Sequence, residues 1–236
     1  MIDYKKRSLQ KEILDQNDIA FADIALNMKE LEFINSKLGG HSITIKGFKE
    51  LLKEKKEVSV CEIGCGGGDN LSAIFPYCTR HNIDASFTGI DINKNCIAFA
   101  KENSKIEKVA FIVSDYKEVT FENNKPDIIF SSLFCHHFTD DELVEMIKWM
   151  KSNSTIGFFI NDLHRYPLAY HFIKIATRVF SKSYLVKNDA PISVLRGFKK
   201  SDWKNIFQKA GIKNYSIKWK WAFRYLIVVF NSAQHG

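Results

Sequence analysis

Short apolar runs alternate with longer stretches of helical spacing along this chain. The first run starts at Val60 and passes through Glu62 into a cluster of glycines, and others cover 85–93, 109–113, 126–134 and 155–161. Each is strand-length and β-branched or aromatic, and helix-length segments lie between them, the pattern of an open parallel sheet built from βα repeats. Two last runs, near 214–219 and 223–230, predict closing strands. Ahead of the first strand, residues 18–38 carry apolar Ile19, Ala22, Ile24, Leu26, Met28, Leu31, Phe33 and Ile34, too many for one narrow stripe. They predict a helix buried on more than one side, stopped at Gly39-Gly40, with a second helix over 41–55. Thr139 and Glu142 have capping-box spacing for a helix to about Lys151, and Ser201 is placed to cap a last helix over 202–210.

Between the fifth strand and that last helix lie roughly 35 residues, more than a connection needs. They read as an apolar helix over 166–180 and a polar loop through Arg196-Gly197-Phe198. At 236 residues the chain suits one α/β domain with additions rather than two domains. The division is a helical cover at 1–55 and a sheet domain at 56–236, with an inserted cap at about 165–198.

The glycine cluster sharpens the picture. Residues 60–70 read Val-Cys-Glu-Ile-Gly-Cys-Gly-Gly-Gly-Asp-Asn, a strand that turns through glycines into a helix start, where backbone can approach a ligand closely. A dinucleotide fingerprint needs a glycine where Asp69 stands, and Asp69 puts negative charge where a pyrophosphate would sit. A cationic ligand fits better. With Glu62 ahead of Gly64, the string E-x-G-x-G-x-G resembles the first motif of class I S-adenosylmethionine-dependent methyltransferases.

That resemblance implies a Rossmann-like α/β fold with a seven-stranded sheet, helices on both faces and S-adenosylmethionine as cofactor. By it, Glu62, Gly64, Cys65 and Gly66 form the turn, Asp91 at the end of the second strand takes the ribose hydroxyls, and Ile92 lies against the adenine. Asp115 bonds the adenine amino group with Tyr116 beside it, and Ser131, Ser132 and Leu133 face the methionine end. Asp127 reads as structural. The leader resembles a cofactor cover whose closest approach is 35–41. Segments 134–138, 161–165 and 189–198 resemble bacterial methyltransferases of quinone-like or polyketide pathways.

Methyl transfer to a hydroxyl or ring carbon calls for a base. His137, ahead of Phe138, is the first candidate, with His136 and then His164, beside Asp162, as alternatives; each histidine serves equally well as an orienting or anchoring group. Tyr170 and Phe172 are candidates for an aromatic substrate wall, together with Tyr166, Phe180 and Tyr184, and Arg196 for a polar contact with the acceptor, against core packing and an ion pair. The expected reaction is O-methylation of a small aromatic or lipid-like acceptor, then C-methylation; a cofactor-binding accessory protein and an RNA or protein methyltransferase are the competing classes. The histidines lack zinc-site spacing, so no metal is expected.

Charge and cysteines change little. A net charge of +7 fits lysine-rich solvated faces, while Lys199-Lys200 and Lys218-Trp219-Lys220 leave open a transient membrane-surface or carrier-protein contact. Nothing resembles a nucleic-acid-binding module, which argues against that partner. The five cysteines read as reduced thiols, and the absence of a signal-peptide core suggests a cytoplasmic protein. The oligomeric state stays open.

Overall fold

The computed structural model describes residues 2–16, 18–122 and 124–231. Its centre is a seven-stranded sheet in the order β3-β2-β1-β4-β5-β7-β6, formed by β1 (Glu57–Ile63), β2 (Asp84–Asp91), β3 (Val109–Val113), β4 (Ile128–Ser132), β5 (Gly157–Leu163), β6 (Tyr215–Lys220) and β7 (Arg224–Phe230). The first five strands are parallel, and β7 enters antiparallel to both β5 and β6. The order reverses beside β1, so β1 and β4 diverge into a crevice at their carboxyl ends, the usual ligand position in open α/β sheets.

Period-two alternation sorts the core into two layers. Val58, Val60, Ile128, Phe130, Phe159, Leu226 and Val228 pack against α2 (Gly40–Leu52) and α3 (Asp69–Arg80). The intervening Cys61, Ile63, Ile129, Phe158, Ile160, Ile227 and Val229 pack against α5 (Asp140–Asn153) and α8 (Lys200–Lys209). Asp127 accepts from the Ser59 amide and from Thr155 Oγ1, and so ties the starts of the central strands together.

A roof covers the carboxyl ends of the strands. It consists of α1 (Phe21–Lys37), lying against α4 (Lys94–Asn103), and the inserted pair α6 (Pro167–Phe180) and α7 (Tyr184–Arg196). Glu30 of α1 clasps the α6–α7 junction by accepting from the Lys182 and Ser183 amides.

Several expectations are corrected. The polar loop expected before Arg196 is α7, started by Ser183 accepting from the Val186 amide and held by buried Leu185, Val186, Ile192 and Val194. Pro191 lies inside it; tertiary burial outweighs the breaker signal. Ser201 does not cap α8, because Lys199 is the N-cap and Asp202 accepts its amide. In α1 only Ile24, Asn27, Met28 and Asn35 are buried, while Phe33 is exposed beneath Lys37, so one face is covered rather than several. The cover is also not a separate unit, since α2 belongs to the sheet's own packing layer.

Candidate active site

A cavity of about 960 Å³ lies between the strand ends and the roof. It sits at the upper end of the usual ~300–1,000 Å³ for ligand pockets, room for a cofactor and an acceptor together. Its floor is the glycine turn. Gly66 has φ +51°, and a Cβ there would point into open space with only Met28 Sδ near, at 3.5 Å. The left-handed backbone and the bare surface both require glycine. Asp91 receives the Gly66 amide at 2.9 Å and the Asn93 amide at 2.8 Å. Burial pushes its carboxyl pKa up, against those two hydrogen bonds.

Around this floor the cavity is lined by Gly64, Cys65, Gly66, Asp91, Ile92, Asp115, Tyr116, Ser132 and Leu133. Ile92 is an exposed apolar side chain at the rim, and Leu133 sits at φ +54° with its amide on Asn161 O. Glu62 and Ser131 lie behind the wall. Glu62 is fully buried with neither carboxyl oxygen in a formed hydrogen bond, and burial with Asp69 close by pushes its pKa well up. From the leader, Asn35 donates to Asp69 at 2.9 Å and His41 Nε2 lies 2.7 Å from the same oxygen. The open cradle at Gly66, the rim acids and the carboxylate at the end of β2 suit an adenosine that carries positive charge and no phosphate.

The opposite wall holds the histidines, in a setting the sequence did not disclose. Residues 4–16 strap across α7, and a short 3-10 turn at Ile13–Asp15 receives Asp189 on its Ile13 and Leu14 amides. The strap delivers Glu12 and Asp15 to a second 3-10 turn, Cys135–His137. His136 Nδ1 is 2.8 Å from Asp162 Oδ1, and its Nε2 is 3.4 Å from Glu12 Oε1. Burial opposes its charge, but Asp162 and Glu12 outweigh burial and push its pKa up to about 9. His136 is therefore an imidazolium near neutral pH. His137 is partly exposed on the cavity wall, with Nδ1 3.0 Å from Asp15 Oδ1 and Nε2 3.8 Å from Glu12 Oε2.

Glu12, His136 and His137 each bring one ligand atom within 4.8 Å of the others. That donor set could hold a divalent cation, which the histidine spacing alone did not suggest. The His136 proton supplies positive charge at the same point.

Other expected site residues also fall outside the cavity wall. His164 is off the cavity wall: its amide goes to Phe223 O, its ring packs between Tyr166 and Tyr225, and Asp162 pairs with His136 instead. Arg196 directs its guanidinium onto the carbonyls of His136, His137 and Gln10 at 2.7–2.9 Å. It holds the histidine turn to the strap and has little left for an acceptor. Tyr170 is buried edge-to-face on Tyr4, outside the lining, whereas Phe172 reaches the cavity. Tyr166, Phe180 and Tyr184 are exposed on the outer surface.

Arg224 was not anticipated. It is buried in the cavity wall, giving one hydrogen bond to Asn35 Oδ1 at 3.1 Å while Nε and Nη1 have no partner among the described residues. Burial pulls its pKa down to about 10, against Asp162 and Asp69. A guanidinium still charged, with unused donors, calls for an anion. The sequence signal was an arginine at the mouth of an otherwise apolar strand.

Comparison with known proteins places this geometry. A family model described as a methyltransferase domain matches residues 54–211. Phosphoethanolamine N-methyltransferase of Triticum aestivum is 32% identical over 130 residues, 52% of this chain and 24% of that protein. Ubiquinone biosynthesis O-methyltransferase of Pelagibacter ubique (strain HTCC1062) is 32% identical over 146 residues, 58% of this chain and 56% of that one. The chain thus spans about a quarter to a little over half of these relatives. The structure of the plantazolicin methyltransferase BpumL in complex with SAH superposes with a TM-score of 0.66 at 16% identity, covering 90% of this chain and 96% of that one. A SAM-dependent methyltransferase from Aquifex aeolicus gives 0.63 at 15%, covering 91% and 100%. The seven-stranded sheet, the glycine turn with its strand-end acid and the family match over two-thirds of the chain agree, and the chain belongs to the class I S-adenosylmethionine-dependent methyltransferases.

Proposed function

We propose that this enzyme methylates a hydroxyl of a small aromatic or lipid-like acceptor, with C-methylation as the second reading. The observation that carries this is the Asp15–His137 pair on the wall of the cavity that also contains Gly66 and Asp91. When bound, S-adenosylmethionine supplies an electrophilic methyl group on a sulfonium. Asp15 favours the tautomer with the proton on His137 Nδ1, which leaves the Nε2 lone pair to take the acceptor proton. His136, already protonated between Asp162 and Glu12, serves to fix the turn and to keep Glu12 in place. Phe172, Ile173, Ala169 and Phe223 give the α6 side of the cavity an apolar wall, which favours an apolar acceptor body.

On this reading Asp91 holds the ribose. Asp91→Ala is expected to weaken binding of the cofactor by about 1–3 kcal/mol, the value of hydrogen bonds to a charged group. Calorimetry showing unchanged affinity would remove Asp91 from the site.

Arg224 is assigned to the carboxylate of the cofactor's methionine moiety, since Asn35 ties it to the leader where that leader meets the glycine turn. Arg224→Met should raise the Kd of S-adenosylhomocysteine about tenfold or more, as loss of a charge-assisted bond implies. It should leave 5′-methylthioadenosine, which lacks the carboxylate, almost unaffected. Equal weakening of both ligands would move Arg224 to the acceptor or to the fold.

The acceptor itself is tested by incubating the enzyme with methyl-labelled cofactor and fractionated small molecules. Label in an apolar phenolic or lipid fraction supports the reading, and label confined to RNA or protein overturns it.

A further inference from the structure

Among the described residues, α6 carries the most conspicuous apolar surface left uncovered. Leu168, Phe172, Ile175 and Val179 follow i, i+4, i+7, i+11 spacing, one stripe on one helix face, and their exposures are 60%, 47%, 64% and 65%. Phe180, at 82%, extends the stripe. At the other end of α6, Tyr166 stacks on Phe223, and Phe223 contacts Trp219 and Trp221, which are 50% and 67% exposed. A single surface thus joins an apolar helix stripe to a cluster of exposed tyrosine and tryptophan. An isolated exposed leucine needs no explanation, but a contiguous patch of this kind marks an interaction site.

Charge identifies the partner. No acidic residue occurs between Asp162 and Asp189, whereas Lys174, Arg178, Lys182 and Lys187 all fall there. Two carboxylates of α1 lie nearby: Glu30 accepts from the Lys182 and Ser183 amides, and Asp23 Oδ2 accepts from the Tyr184 hydroxyl at 3.4 Å, so the four cations leave an excess of positive charge. A two-fold related copy of this chain would set one flank with an excess of cations against another, with no acid from the α6 segment itself to answer it. An anionic lipid surface answers the lysines and arginine with headgroups and the apolar stripe with acyl chains, and it accepts tryptophan and tyrosine at the boundary between them. No helix among the described residues is long and apolar enough to cross a membrane, so the contact lies along the surface.

We propose that α6 and the aromatic turn at 219–223 dock this enzyme on the surface of an anionic lipid bilayer. Position gives the docking a use. Ala169, Phe172 and Ile173 of α6 and Ala222 and Phe223 of the turn also line the cavity, so the docked face borders the chamber, and an apolar acceptor would pass from bilayer to cavity past apolar side chains. That last step rests on the acceptor class proposed above; the docking itself does not.

Vesicle flotation of the full chain, without acceptor, tests it. The protein should float with phosphatidylcholine vesicles containing phosphatidylglycerol, remain behind with pure phosphatidylcholine, and be released by salt. Ile175→Glu/Val179→Glu should lower partitioning about tenfold or more, and Arg178→Glu/Lys182→Glu should do the same, since each juxtamembrane cation and each buried apolar group contributes. All four side chains are exposed, and S-adenosylhomocysteine affinity, measured alongside, should stay unchanged as a check that the fold is intact. Wild-type protein that ignores anionic vesicles, or variants that float as well as wild type, overturn the proposal. A concentration-dependent dimer that Ile175→Glu/Val179→Glu dissolves, with no vesicle binding, overturns it in favour of self-association.

Discussion

His137→Ala is expected to lower kcat by about 100-fold or more while S-adenosylhomocysteine affinity stays within about twofold, the size expected when a positioned base is lost. The residue is suited to this test because its turn is held independently of its ring: Arg196 bonds the His137 carbonyl, the 3-10 turn is held by main chain, and the strap keeps its ties to Asp189 when the pairing of the ring with Asp15 is lost. Removing the imidazole therefore leaves the turn anchored. A second variant separates chemistry from shape. Asp15→Asn keeps the volume but weakens control of the His137 tautomer, so it should lower kcat less than His137→Ala and leave KM nearly unchanged. Full activity in His137→Ala, with loss in His136→Ala, would transfer the base to His136. Loss of cofactor affinity in His137→Ala would make the residue part of the fold or of the binding site rather than the base.

Asp162→Ala carries the largest expected cost in stability, about 3–5 kcal/mol, because it leaves the His136 imidazolium fully buried with Glu12 as its remaining partner. The effect should depend on pH in a definite sense. His136 has a folded pKa raised to about 9, so its contribution is complete below its unfolded value of about 6.5 and disappears as pH rises through about 9. Asp162 moves the other way. Burial opposes its ionisation but His136 outweighs burial and lowers its pKa, so its contribution is present above about 3.9 and is lost in acid. Urea unfolding of wild type and Asp162→Ala should therefore differ most between about pH 4 and 6.5 and converge toward pH 9 and beyond. A difference that stays constant from pH 6 to about 10 would show that the pair is not charged as described.

Enclosure by tertiary contacts explains why this cluster was only half visible. His136 and His137 were legible as candidates because they follow a parallel strand at the end where ligands bind. Nothing local distinguished the buried imidazolium of His136 from the partly exposed ring of His137. That distinction comes from Glu12 and Asp15, more than a hundred residues upstream, and from Asp162 at the end of β5. The sequence reading set Asp162 beside His164, its near neighbour in the chain; the fold packs the His164 ring between Tyr166 and Tyr225, away from the cavity, and gives Asp162 to His136. Arg196 followed the same course. Its type and place suggested an acceptor contact, yet three carbonyls claim it.

By itself the sequence determined whatever depends on short-range periodicity and on backbone conformations that only certain residues adopt. Short apolar runs marked all seven strands, each within a few residues of its observed bounds. The glycines around Gly66, the carboxylate of Asp91 and the capping box at Thr139–Glu142 announced the turn, the strand end and the helix start. These are local rules, each decided within a few residues. Tertiary structure alone decided the path of the strap at 4–16, the burial of Arg224 with unused donors, the conversion of a polar stretch into α7 around Pro191, and the exposure of the α6 stripe. Each depends on which distant surface happens to cover a residue, and burial and charge pairing across the chain follow from packing the whole domain, which no local pattern encodes.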